Sequence, residues 1–206
     1  MRPRPLASPR LGRIAAASTL ALALSGGLAA CGSGDRPAPD AKVSNSAVPA
    51  PAKAATPMKA SKPTRLQIPS AGVDAGPVLP LAVDSTGELG VPPVAKADQA
   101  GWYTGGVTPG EKGPAVLVAH YDTAKGPALM KNIKNVKIGD VIKVGRADGS
   151  TATFKIREIQ QVDKKAFPTN KVYGDTTGPE LRLLTCGGPI QDGHRTDNII
   201  LYATLV

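Results

Sequence analysis

Beyond residue 63 the chain alternates short apolar runs with prolines, glycines and polar clusters. TRLQIP (Thr64 to Pro69) predicts a short strand that Pro69 ends, because proline cannot donate to a sheet ladder. PAVLVAH (Pro114 to His120) is continuously apolar until its histidine, the pattern of a strand buried on both faces. DVIKV and TATFKIREI, joined through GRADGS, predict a hairpin. Asp148-Gly149 supplies its turn, and Val141, Val144, Phe154 and Ile156 carry the alternation. LRLLTC and NIILYATLV predict two more strands, and ALMKNI (Ala128 to Ile133) a short helix. So many short strands in a domain of this size predict an all-β closed barrel.

The stretch before this pattern has a different character. Residues 32–63 are rich in Ala, Pro, Ser and Lys and hold none of the seven aromatic residues. Such a composition cannot bury enough apolar surface to fold, so it predicts an extended, disordered tether. Residues 1–31 read as a signal peptide, with the positive segment MRPRPLASPRLGR followed by the small, apolar IAAASTLALALSGGLAA. It closes on LAAC, which resembles a bacterial lipobox with Cys31 as the lipidated residue. An ordinary secretory signal or a retained anchor is the plainer alternative. Either places the folded part, residues 64–206, outside the cytoplasmic membrane.

Charge then excludes a function class. The formal net charge is +9, but residues 1–62 hold nine Lys/Arg against two Asp, leaving only +2 for the remainder. A nucleic-acid-binding domain keeps its positive field on the folded part. Here the basicity belongs to the leader and tether, and no nucleic-acid partner is expected.

With Cys31 taken by lipid, Cys186 has no partner within the chain. A lone exposed thiol in an exported protein is a liability unless it is used; an inert core cysteine is the alternative. Gly187 and Gly188 follow it, and they predict a sharp bend that leaves the thiol open to substrate. His120 ends the buried run and opens HYDTAKG, where a scaffold commonly presents working groups. The other histidine, His194, lies in a polar turn and reads as a surface imidazole. A thiol needs a base to become a nucleophile, and the oxyanion formed by its attack needs a fixed donor. Arg195, the only arginine after Cys186, and Arg182, four residues before it on the same strand, are the rivals for that donor. No metal or other cofactor is expected: there is no run of Asp/Glu for calcium, and too few His and Cys for zinc.

Four ordered blocks carry a family resemblance over nearly all of residues 64–206. They are RLQIPSAGVDAGPV, GWYTGGVTPGEKGPAVLVAHYDTAKGPALM, FPTNKVYGDT and LRLLTCGGPIQDGHRTDNIILYA. Together they resemble the sortases, cysteine transpeptidases of Gram-positive cell walls, and in particular the actinobacterial class F. The resemblance implies an eight-stranded β-barrel. It implies that Cys186 forms a thioester with a sorting-signal peptide, that His120 is the general acid/base, that Thr185 lines the peptide groove, and that an arginine binds the oxyanion or the peptide backbone, with Arg182 the candidate for substrate binding. Partners would be secreted proteins with a C-terminal LPxTG-type signal, cut between Thr and Gly, and an amine acceptor such as a peptidoglycan precursor or a pilin. Departures are visible. Tyr121 stands where Val is usual and Thr123 where Ser is usual. GHRTDN resembles GHYxDN with Arg195 at the Tyr position, while most sortases place an arginine close to where Asn198 stands here. Arg195 is taken for the third catalytic role. The lipobox replaces the family's usual uncleaved helical anchor with the same topology. Two rival functions are a non-catalytic envelope lipoprotein on a sortase-like barrel and a cysteine peptidase whose acyl acceptor is water.

Overall fold

In a computed structural model that describes residues 39–51 and 53–206, the apolar runs become strands of one curled sheet. In chain order they are β1 (Ser46–Ala47), β2 (Pro63–Ile68), β3 (Val73–Ala75), β4 (Leu79–Leu81), β5 (Ala100–Tyr103), β6 (Gly113–Ala119), β7 (Asp122–Thr123), β8 (Gly126–Pro127), β9 (Val141–Arg146), β10 (Thr151–Asp163), β11 (Pro179–Gln191) and β12 (His194–Leu205). The main path runs β3-β2-β9-β10-β12-β11-β6-β5-β4, with β1 added to β10, while β7 and β8 form a separate small hairpin. The two ends of the path, β3 and β4, do not pair with each other. The expected closed barrel is therefore an open curl. Sheet twist brings the ends round without supplying the last ladder.

Alternation sets two apolar faces. Leu66, Leu117, Ile142, Phe154, Leu183 and Leu201 fill the concave interior. On the outside, Val116, Val118, Leu184, Ile200 and Tyr202 form a second cluster, covered by Val172 of the short helix α1 (Thr169–Tyr173). β6 is thus buried on both faces, as its unbroken apolar run requires. The β9–β10 hairpin forms as expected, with its turn at Ala147–Gly149; on β9 the core residues are Ile142 and Val144, with Val141 half-buried.

Two local expectations fail. ALMKNI is not an α-helix: it forms turns that lead into a single 3₁₀ turn at Ile133–Asn135. Met130 and Ile133 are fully buried, so tertiary packing takes the apolar residues that would have made a helix stripe. Residues 39–51 and 53–62, expected to be a free tether, lie along the domain instead. Ala41 bridges Gly188, β1 pairs with β10, and the Val43 amide donates to Gln161 Oε1 at 2.9 Å. Further along, the Met58 amide donates to the Gly110 carbonyl and Arg146 donates to the Lys59 carbonyl. Composition counts overall apolarity, whereas this segment is held by main-chain hydrogen bonds and by a few placed side chains, with Ala41 buried and Val43, Ala55 and Met58 packed on the core. The signal peptide, the lipobox with Cys31, and the tether as far as residue 38 lie outside the described residues.

Candidate active site

The site begins with the one long parallel pairing. β6 and β11 run side by side, with Leu184 opposite Val118 on the last rung. Two residues further on, His120, just past the end of β6, comes level with Cys186 of β11. On its other side β11 pairs antiparallel with β12, and Cys186 is directly opposite Asn198. Directly opposed residues point to the same face of a sheet. An imidazole, a thiol and a carboxamide therefore stand in a row across three adjacent strands. All three line one cavity of about 500 Å³, walled by Leu89 and Val91 of the β4–β5 loop and by Phe167 and Tyr173 of the β10–β11 connection. Cys186 is half-buried and free of any disulfide.

A bulge decides what faces the thiol. The β11–β12 turn is a two-residue loop, with Asp192 at φ 49° and Gly193 at φ 79°, and it pairs Gln191 with His194. Simple counting back from that turn would set Ile199 opposite Cys186. The register slips by one between Gly187 and Ile190, the extra residue lying on β11, and so Asn198 takes the place while Ile199 stays in the core. Both glycines are needed for this path. Gly188 has φ +73°, and a Cβ on Gly187 would approach Ile199 Cδ1 to 2.7 Å. The expectation that these glycines turn the chain away from the thiol is corrected: β11 continues to Gln191, and the glycines shift its register.

His120 Nε2 lies 2.6 Å from the carbonyl oxygen of Pro92. A carbonyl only accepts, so in the neutral ring Nε2 carries the proton and Nδ1 keeps the lone pair. The β4–β5 loop, which no pattern singled out, thereby orients the imidazole. Thr185 also lines the cavity, and its buried Oγ1 has no hydrogen-bond partner.

Neither arginine joins the cavity wall. Arg195 is held in a buried cluster, where Nη2 donates to Asp122 at 2.7 Å, and Nη1 donates to Asp40 at 2.8 Å and to the Gly188 carbonyl at 2.7 Å. Its guanidinium also lies 5.1 Å from the centre of the Tyr121 ring. The Asp122 hydrogen bond raises its pKa against the opposing effect of burial. Arg182 is buried under α1, donating to Glu180 at 2.6 Å and to the Lys171 carbonyl at 3.3 Å, with its charge over the Tyr202 ring. Burial lowers its pKa, with the Glu180 pair acting in the other direction. Facing the same way as Cys186, as spacing predicts, did not bring Arg182 to it, because α1 covers that part of β11. His194 is exposed at the hairpin turn. Among the described residues, no group of three or more His, Cys, Asp or Glu is placed to hold a metal ion.

A second hollow of about 710 Å³ adjoins the first and shares Gly87, Leu89, Thr169 and Tyr173 with it. It follows the outer face of β6 back toward Gly113 and is flanked by Tyr103, whose ring meets Tyr173 edge-on at 6.1 Å. The two hollows run on from one another along this face of the sheet.

The sortase-domain family model matches residues 66–206. A search of curated proteins returned no significant match. Among solved structures, the chain is similar to sortase C1 of Streptococcus agalactiae in complex with MTSET, at 19% identity and TM-score 0.52, covering 71% of this chain and 70% of that one. It is also similar to the sortase D5 transpeptidase of Clostridium perfringens (19%, TM-score 0.51, 70% and 79% covered) and to sortase C-1 of Actinomyces oris (22%, TM-score 0.52, 69% and 72% covered).

Proposed function

Because the chain belongs to the sortase family, a family of cysteine transpeptidases, we propose that Cys186 and His120 carry that chemistry on an LPxTG-type sorting signal. The observation that carries the reading is the parallel register that brings imidazole and thiol level in one cavity. His120 Nδ1 takes the thiol proton, and Sγ attacks the scissile carbonyl carbon. The C–N bond breaks as the imidazolium returns its proton to the leaving amine, and a thioester remains on Cys186. The amine acceptor then attacks the thioester, its proton passes to His120, and the thiol is restored as a new amide forms. The groove along β6 receives the peptide upstream of the scissile bond.

An extracytoplasmic location goes with the sortase domain. No helix among the described residues is long and apolar enough to cross a membrane, and a lipid on Cys31 is our proposed anchor. The class F reading rests on the four sequence blocks; the solved structures above are of sortases C and D. Acceptor amines of peptidoglycan precursors or pilins are the proposed second substrate.

The test is mass spectrometry of the full-length protein in detergent, incubated with LPxTG-type peptides with and without an amine. An acyl adduct that is present in wild type and absent in Cys186→Ala is expected, with turnover lost in His120→Ala. Product formed only with water would move the reading to a peptidase. No adduct over a broad peptide panel would move it to a binding lipoprotein.

A further inference from the structure

Attack by a thiolate turns a carbonyl oxygen into an oxyanion, and the gain in rate depends on a donor already aimed at that position. Charge nominates an arginine. Arg195, however, already donates to two carboxylates and to the Gly188 carbonyl, with its side chain only 4% exposed. Drawing it into the cavity would strand Asp122, whose side chain is 9% exposed, without its partner. Arg182 is committed to Glu180 and lies beneath α1.

The cavity has its own donor. Asn198 is the cross-strand partner of Cys186, on the side opposite His120, and both line the same hollow. Opposed Cβ atoms in such a pair are about 4.5–5.5 Å apart, so a carbonyl carbon bonded to Sγ falls within reach of the Asn198 carboxamide. Among the described residues that carboxamide has no hydrogen-bond partner, so its two N–H groups are available. The Gly187–Gly188 bulge exists at the cost of two residues that strands disfavour, and its effect on register is to present Asn198 rather than Ile199 to the thiol.

We propose that Asn198 is the oxyanion donor of this enzyme, its side-chain N–H bonding the tetrahedral oxygen in both half-reactions, and that Arg195 is a positioning residue. This rests on the transpeptidase reading above. A neutral donor makes the prediction specific. Loss of Asn198 slows acyl transfer without changing how readily the thiol ionises.

The experiment measures thioester formation in single turnover on the full-length protein, with iodoacetamide alkylation of Cys186 and thermal midpoint as controls. Removing one such donor costs about 10²–10³-fold in rate. Asn198→Ala should show that loss in the acylation rate constant with little change in peptide affinity and an unchanged pH dependence of alkylation. Asn198→Asp, isosteric but carrying an acceptor, should lose at least as much. Lys164→Ala removes the one lysine or arginine side chain lining the hollow among the described residues and should leave the rate within about threefold. The proposal is overturned if Asn198→Ala acylates within about fivefold of wild type, if Lys164→Ala carries the loss instead, or if the Asn198 variants lose their thermal midpoint. A wild type that forms no thioester overturns the transpeptidase reading and this inference together. An active wild type matched by Asn198→Ala overturns this inference alone.

Discussion

Substituting Arg195 by alanine should destabilise the domain far more than the substitution of any exposed charge. The guanidinium joins three segments: Asp122 after the His120 strand, Gly188 at the bulge, and Asp40 of the N-terminal strap. Its loss leaves the Asp122 carboxylate buried without a cation, and removing one partner of a buried pair costs about 3–5 kcal/mol. The Asp40 arm adds little, because that side chain is 48% exposed and such a pair is worth about 0–1 kcal/mol. For a chain of this size each kcal/mol lowers Tm by roughly 2–4 °C, so the midpoint should fall by roughly 6–20 °C. Urea unfolding of wild type, Arg195→Ala, Asp40→Asn and the double variant Arg195→Met/Asp122→Leu measures this at equilibrium. The double variant should recover most of the loss, since an apolar pair removes the desolvation penalty along with the attraction. Equal midpoints for Arg195→Ala and wild type would refute the reasoning. So would an Asp40→Asn as costly as Arg195→Ala, because the burial contrast would then decide nothing.

Two further outcomes follow from single positions. Burial pushes the pKa of Tyr202 up to about 12, so the folded chain keeps this phenol neutral while the unfolded chain ionises it near 10. Its contribution is complete below about pH 10 and is lost as pH rises through about 12, a change on the order of 2–3 kcal/mol. Urea unfolding at about pH 8 and pH 11 should show a smaller alkaline loss in Tyr202→Phe than in wild type, although the variant gives up the hydroxyl bond to Gln160 at 2.8 Å; identical losses would contradict this. Gly188→Ala places a Cβ 2.6 Å from Asp197 Cγ at φ +73°, and should cost roughly 1–3 kcal/mol in the same assay. A variant as stable as wild type would mean that the bulge does not need its glycine.

The strands and the β9–β10 hairpin were legible because local periodicity carries them, and the strand ends marked His120 and Cys186 as candidates. An alternating run has one buried face, and a histidine or cysteine at the end of an apolar run marks where buried strand gives way to loop. ALMKNI misled for the same reason in reverse: its apolar residues serve a neighbouring core rather than a helix of their own. The strap at 39–51 and 53–62 was invisible to composition, because main-chain hydrogen bonds and a few isolated side-chain contacts leave no compositional signature.

By itself, then, the sequence carried the mostly-β class of fold and the family, and it nominated Cys186 and His120, which the structure places in one cavity. Tertiary structure alone decided which side chains stand beside Cys186. Charge pointed to Arg195 and Arg182, but a buried guanidinium goes where carboxylates and carbonyls can compensate it, and both found such partners away from the cavity. Which residue of β12 stands opposite the thiol depended on a one-residue slip in register. Side chains in a strand alternate with a period of two, so that slip exchanges a core isoleucine for the asparagine beside Cys186.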